Sequence, residues 1–382
     1  MSKTHDIIVI GAGMAGASVA FELAAERRVL VLEAEEQPGY HATGRSAAAY
    51  IASYGFDNPA LRALTLASRA PLESPDTAFH DGTLLKQRGL LTLAHRQGQD
   101  ALKASCAAQS AELPGIEWVD GDYLRRTLPL LREDYAEGAI LERDVFDIDV
   151  HGLHEAYLKG LKHRGGTCAS NSPVSSISRT AGGWQVETGS GSYSAPVIVN
   201  AAGAWADEVA ALAGVTPINI QPCRRTAILV ETPVNTEAWP LVMETGSGFY
   251  FKPDAGLLLV SPADETPSRP CDAAPEELDV AYAAHYLEQT LDMQVRQVKH
   301  SWAGLRSFVE DHTPVIGFDT AADGFFWLAG QGGHGIQIAP ATAQLAAALV
   351  TGREMPSALV EQGFDPAWVA PARLPTESRV RA

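Results

Sequence analysis

Residues 6–16 read DIIVIGAGMAG, an apolar run rich in β-branched residues that breaks into Gly11, Gly13 and Gly16. The run has the composition of a buried strand, and the G-x-G-x-x-G spacing puts a tight turn at its end. Residues 14–26 then carry apolar and small side chains at helical spacing, and a second apolar run, residues 29–32, ends at Glu33. Together these make one β-α-β unit. Gly11 permits the turn, Gly13 lets the backbone approach a pyrophosphate, and Gly16 lets the helix pack closely on the strand. The helix N-terminus, with Met14 and Ala15 in its first turn, faces the phosphates with free N–H groups. Glu33, followed by Ala34, is placed to accept hydrogen bonds from adenosine ribose hydroxyls and disfavours a 2′-phosphate. The glycine motif alone is weak evidence; the ordered strand, turn, helix, strand and terminal acid carry the reading. The unit by itself leaves NAD and FAD both open.

Three further stretches decide between them. Residues 39–48, GYHATGRSAA, are dense in small residues with a single arginine, so Gly44, Arg45, Ser46, Ala47 and Ala48 read as backbone passing close to a second part of a ligand. Residues 195–200, APVIVN, read as another strand leading into Ala201, Ala202, Gly203 and Trp205, with a helical pattern over 206–213. Residues 325–329, FFWLA, are a third apolar strand. It runs into GQGGHGIQ, which contains Gly332, Gly333, His334, Gly335, Ile336 and Gln337, before a helix starting near Pro340. Backbone N–H groups there suit the electron-rich pyrimidine end of a reduced flavin. An NAD site does not usually need these additions, so the expected cofactor is FAD.

The bulk properties bound the rest. A chain of 382 residues exceeds one compact core, which predicts a cofactor lobe and a substrate lobe. A formal net charge of −17 with no Lys/Arg-rich run opposes phosphate backbones, so no nucleic acid partner is expected. Cys106, Cys168, Cys223 and Cys271 are widely separated and show no C-x2-C spacing, which fits reduced thiols and no bound metal. The Cys223 thiol, beside Arg224, reads as buried and inert. The acidic run at 144–149 reads as a loop or strand edge rather than a metal site. No apolar run approaches the ~20 residues that span a bilayer, and the glycine loop begins too early for a signal peptide. A soluble, cytoplasmic protein without stable membrane insertion is expected.

The segments GAGMAGAS (11–18), PGYHATGRSAA (38–48), VNAAGAW (199–205), YFKPDAG (250–256), WAGLRSF (302–308) and GQGGHGIQ (330–337) resemble the D-amino-acid oxidase and glycine oxidase family of flavoenzymes over nearly the whole chain. Within that family the resemblance is strongest to the bacterial D-arginine dehydrogenases. It implies an α/β fold, with a Rossmann-like FAD-binding domain (1–43, 144–216, 309–373) interleaved with a mixed-sheet α+β substrate domain (44–143, 217–308). Residues 374–382 read as a flexible tail. The resemblance adds Val174 to the cofactor contacts and implies non-covalent FAD.

On the substrate side the resemblance assigns a carboxylate anchor to Arg306, whose guanidinium fork suits a carboxylate. It assigns a second arginine to Arg225; strand alternation puts Arg224 on the opposite face, so only one of the pair points into the pocket. Tyr54 and Tyr250 match tyrosines near the substrate, the alternative being half-buried core tyrosines. Gln337 matches a pocket glutamine that orients the substrate amine. His334 stands where those relatives carry a tyrosine, either as a titrating group beside the flavin or as a structural histidine. Ala49, Ile51 and Leu90 replace polar or acidic residues of the relatives, which favours an apolar or small substrate over a cationic one. The implied reaction is oxidative deamination of a D-amino acid by hydride transfer from Cα to flavin N5, giving an imino acid that hydrolyses to a 2-keto acid and ammonia. The alternative is oxidation of a secondary amine, such as a proline derivative or sarcosine, or of a 2-hydroxy acid. The electron acceptor, whether oxygen, a quinone or another carrier, stays open.

Overall fold

The computed structural model describes residues 3–76 and 78–375. The quoted strand, Ile7–Ile10, is the third of a six-stranded sheet, ordered Thr167–Ala169, Val29–Leu32, Ile7–Ile10, Val197–Asn200, Phe325–Ala329, Val315–Phe318. Every neighbouring pair is parallel except the last. Parallel strands need both faces covered, and the alternation supplies it. Ile7, Val9, Val29 and Val31 pack against the helices Met14–Leu23 and Ala339–Thr351, while Ile8, Ile10, Leu30 and Leu32 pack against Trp184, Val186 and Tyr193. The latter belong to a four-stranded sheet that covers the second face. The first helix ends at Leu23, not Glu26; Ala24 to Arg27 form the turn that returns the chain to the next strand.

A nine-stranded mixed sheet forms the second body, with strands drawn from residues 90–142 and 221–308. Its longest pairing joins Gln221–Val230 to Val298–Phe308, antiparallel, with Cys223 opposite Arg306 and Arg225 opposite Gly304. Residues directly opposite in such a pair share a face. Arg225 and Arg306 therefore project to the same side. Arg224 projects to the other, where Glu276 and Asp279 of the helix-bearing face receive it.

Two readings of the sequence need correction here. The acidic run is a loop only at its ends: Asp144 lies in a bend and Asp149 caps the following helix, but Phe146–Ile148 is the middle strand of a three-stranded sheet between Ala49–Tyr50 and Leu85–Gln87. Its carboxylates are separately paired, Asp144 with Arg69 and Asp147 with both Arg88 and Lys252. The tail does not begin at Leu374, which is buried in the second core cluster; residues 376–382 lie outside the described residues. Cys223 is buried as expected, and burial pushes its thiol up. No described helix is long and apolar enough to cross a membrane.

Helix and strand meet most tightly at Gly16, where an added Cβ would lie 1.9 Å from the Gly11 carbonyl oxygen. Gly16→Ala has no room without separating the two elements, a cost of about 1–3 kcal/mol by analogy with overpacked cores. Urea denaturation should show a loss of that order.

Candidate active site

A cavity of about 890 Å³ opens where the six-stranded sheet presents its C-terminal strand ends and runs to the face of the nine-stranded sheet that carries Arg225 and Arg306. This is where ligands of open parallel sheets bind, because the strand-to-helix turns diverge there. Arg45, in the turn segment that follows Val29–Leu32, reaches the nine-stranded sheet and its neighbouring loop. Its guanidinium donates to the carbonyls of Ala273 (2.8 Å) and Ala303 (3.0 Å) and pairs with Asp272.

At the first end, Gly11 adopts φ 98°, and an added Cβ would sit 2.6 Å from the Ala201 carbonyl. The two strand ends thus approach as closely as backbone allows. Gly13, Met14, Ala15, Glu33 and Ala34 line the cavity beside them. Glu33 accepts from the backbone N–H of Ala12 (2.7 Å) and of Glu35 (2.9 Å), which fixes its carboxylate at the rim. Ser46, Ala47 and Ala48 line one wall, Val174 and Ala201, Ala202, Gly203 and Trp205 another. Gly332, Gly333, Gly335, Ile336 and Gln337 close the far side.

At the second end, Arg306 is half-buried between Tyr54 and Tyr250, and among the described residues no carboxylate lies within ion-pair distance of it. A Cβ on Gly333 would fall 2.8 Å from Arg306 Nη1 and 3.0 Å from the Tyr54 hydroxyl, so only glycine leaves these polar atoms open to the cavity. Burial opposes charge on Arg306, but Tyr250, Tyr54 and Glu265 together hold it above its ordinary value, so it stays cationic. Burial likewise pushes the Tyr250 phenol up, and Arg306 and Arg225 more than reverse that, leaving it below its usual value. Arg225 donates to the Asp264 carbonyl (2.7 Å) and pairs with Glu265 (2.7 Å). Ile51, Leu241 and Met243 supply an apolar side wall, with Leu90 buried behind them.

The family model for FAD dependent oxidoreductases, known as DAO, matches residues 6–349. The chain belongs to this family. Its cofactor is FAD, and the cavity fits one: a carboxylate and a helix N-terminus at one end, three close crossings of small residues along its length, and a charged pocket at the other. Among its relatives, a glycine oxidase of Geobacillus kaustophilus is 26% identical over 367 residues, 93% of this chain and 95% of the relative. A crystal structure of glycine oxidase from Geobacillus kaustophilus superposes with a TM-score of 0.85 at 25% identity, over 97% of this chain and 99% of that one. L-proline dehydrogenase from P. horikoshii shares the fold, with a TM-score of 0.83 at 21% identity over 98% of each chain.

Five sequence-derived assignments change. Gly16 and Gly44 do not line the cavity; Gly16 sits against Gly11 and Gly44 against the Gly39 carbonyl, so both act by close backbone packing. Arg45 lines the cavity, yet its guanidinium is spent on the substrate-side segments named above. The Gln337 side chain is held within the protein: its oxygen accepts from Ile51 N (3.1 Å) and its nitrogen donates to Thr65 Oγ1 (3.1 Å). His334 is turned away from the cavity and stacks on the Tyr54 ring, centroids 4.2 Å apart at 26°.

Several contributors escaped the sequence reading. Thr43 Oγ1 accepts from Met14 N (2.9 Å), His154 Nε2 hydrogen-bonds the Ala12 carbonyl (2.8 Å), and His41 bonds Glu35 (2.9 Å) while packing on Trp205. Buried Glu142 accepts from both the N–H and hydroxyl of Ser53, which anchors the loop bearing Tyr54. Apart from His41–Glu35, these contacts join polar side chains to distant segments, and no local spacing announces them.

Burial, Arg306 and His312 lower His334 to about 4, so it is neutral at ordinary pH. The unfolded chain binds a proton near pH 6.5 that the folded chain refuses until about 4. Stability from this group is therefore present above about 6.5 and is lost as pH falls towards 4, at about 1.4 kcal/mol per unit. His334→Phe, which keeps a ring on Tyr54, should flatten that part of the melting-temperature profile; an unchanged acid slope would refute the assignment.

Proposed function

We propose that this protein oxidises the Cα–N bond of a small or apolar α-amino acid, the D-enantiomer where there is one, to an imino acid that water converts to a 2-keto acid and ammonia. The observation that carries the reading is Arg306, a half-buried guanidinium flanked by two phenols and without a carboxylate partner among the described residues. A charge partly removed from water and left unpaired is unfavourable. A ligand carboxylate supplies the missing partner with the bidentate geometry a guanidinium prefers. The glycine oxidase relatives support a small substrate, the resemblance to D-amino-acid oxidases supports the D-form, and the wall of Ile51, Leu241 and Met243 supports an uncharged side chain. A guanidinium or ammonium on the substrate has no carboxylate to meet at Leu90, so the D-arginine dehydrogenase resemblance does not extend to that substrate.

FAD, when bound, supplies the acceptor for the hydride leaving Cα, which carries both electrons of the oxidation. The chain's own part is positional. Arg306 holds the carboxylate, Tyr54 and Tyr250 close on it from either side, and the apolar wall fixes the side chain and excludes water. As the hydride leaves, the lone pair of the neutral amine forms the C=N bond, so no side-chain nucleophile and no metal is required. Commitment of the Gln337 amide to Ile51 and Thr65 favours a second reading. With that side chain unavailable to count N–H groups, an N-alkylated amino acid or proline derivative meets the same carboxylate clamp.

Anaerobic mixing with a panel of D- and L-amino acids, N-methyl amino acids, prolines and 2-hydroxy acids tests both. Bleaching of the flavin band by small D-amino acids or glycine is expected; bleaching by secondary amines alone selects the second reading, and by 2-hydroxy acids alone removes both. Arg306→Met should lower kcat/KM by about 2–5 kcal/mol, thirty-fold or more, through loss of the buried charge partner. It should do so with the flavin spectrum retained. The rate of flavin reduction should rise with pH as the substrate amine loses its proton. A flat profile across the amine pKa would exclude this mechanism.

A further inference from the structure

Two arginines face the cavity from the same strand pair, but they are not equivalent. Arg306 has no carboxylate partner among the described residues, whereas Arg225 is paired: Nε on the Asp264 carbonyl, Nη2 on Glu265, and the Tyr250 phenol against it. The loop that delivers these partners is itself pinned. The Asp264 carboxylate accepts from Thr226 N (2.6 Å) and Thr226 Oγ1 (3.1 Å), Ala263 holds a left-handed φ of 59°, and Thr266 pairs with Arg224 in the sheet. Glu265, with its side chain 48% exposed, thus reaches from the cavity mouth to a guanidinium only 12% exposed, and does so from a fixed backbone position.

We propose that Glu265 is the residue that sets the charge selectivity of the cavity. By neutralising Arg225 it leaves one uncompensated guanidinium, Arg306, and therefore room for one carboxylate. A substrate with a second carboxylate finds Arg225 already paired and meets the Glu265 charge besides. The inference rests on the carboxylate-binding role given to Arg306 above. Removing the Glu265 charge exposes Arg225 as a second anchor beside Tyr250, and the cavity then accepts a dicarboxylate. Specificity here lies in a repulsive element as much as in an attractive one.

The test compares wild type, Glu265→Gln and Glu265→Ala, all as FAD-loaded protein. Acetate and malonate are titrated against the visible flavin spectrum, and D-alanine and D-aspartate are compared as substrates. A new charge-assisted contact to Arg225 predicts that the malonate-to-acetate affinity ratio rises about tenfold or more in both variants. The D-aspartate-to-D-alanine ratio of kcat/KM should move in the same direction. Ratios within about twofold of wild type in both variants, with normal flavin content, would overturn the assignment to Glu265. If no amino acid reduces the wild-type flavin, the oxidation reading fails, while the malonate-to-acetate ratio still judges Glu265 separately.

Discussion

The charge on Arg306 is the constraint around which the substrate end is built. A guanidinium removed from water needs either a fixed carboxylate or a set of polar neighbours that leave a place for one. The chain takes the second course. Tyr54, Tyr250 and the bare backbone of Gly333 surround the group without neutralising it, and the nearest acid, Glu265, is committed to Arg225. The result is a site whose electrostatic demand is met only when an anion arrives.

That arrangement depends on a long antiparallel pairing. Strands Gln221–Val230 and Val298–Phe308 hold Arg225 and Arg306 on one face and send Arg224 to the acids of the opposite face. Tyr54 comes from a loop instead, and a loop needs external bracing to hold a phenol in place. Glu142 grips Ser53 from below, and His334 stacks on the phenol ring. A neutral ring suits that place, since a second positive charge beside Arg306 would be repelled.

Much of the nucleotide end was legible because its chemistry is local. Gly11, Gly13 and the run from Ile7 to Glu33 each act through their own backbone and their immediate neighbours, so order and spacing along the chain carry the information. The α/β class followed from the same stretch. At the substrate end the residue types were legible but several roles were not. Gln337 and His334 had the right chemistry for a pocket, yet their partners, Thr65 and Tyr54, come from a segment some 280 residues earlier, and only folding brings them together. Glu265 carried no motif at all. The helix from Met14 stopped short of Glu26 because residues 24–27 turn the chain into the next strand, a competition that periodicity alone does not resolve.

Arg45 carries a consequence for the protein without its cofactor. It belongs to the small-residue segment along the cavity wall, and it is fastened to Ala273, Ala303 and Asp272 on the other body. Ordering of that segment is thereby shared by both bodies. Ligand binding stabilises whichever state it prefers, so occupation of the cofactor cavity is expected to steady the Arg45 contacts, and emptying it to loosen them. Proteolytic resistance, melting and pocket order should then track flavin content as one coupled quantity, not as properties of two independent lobes.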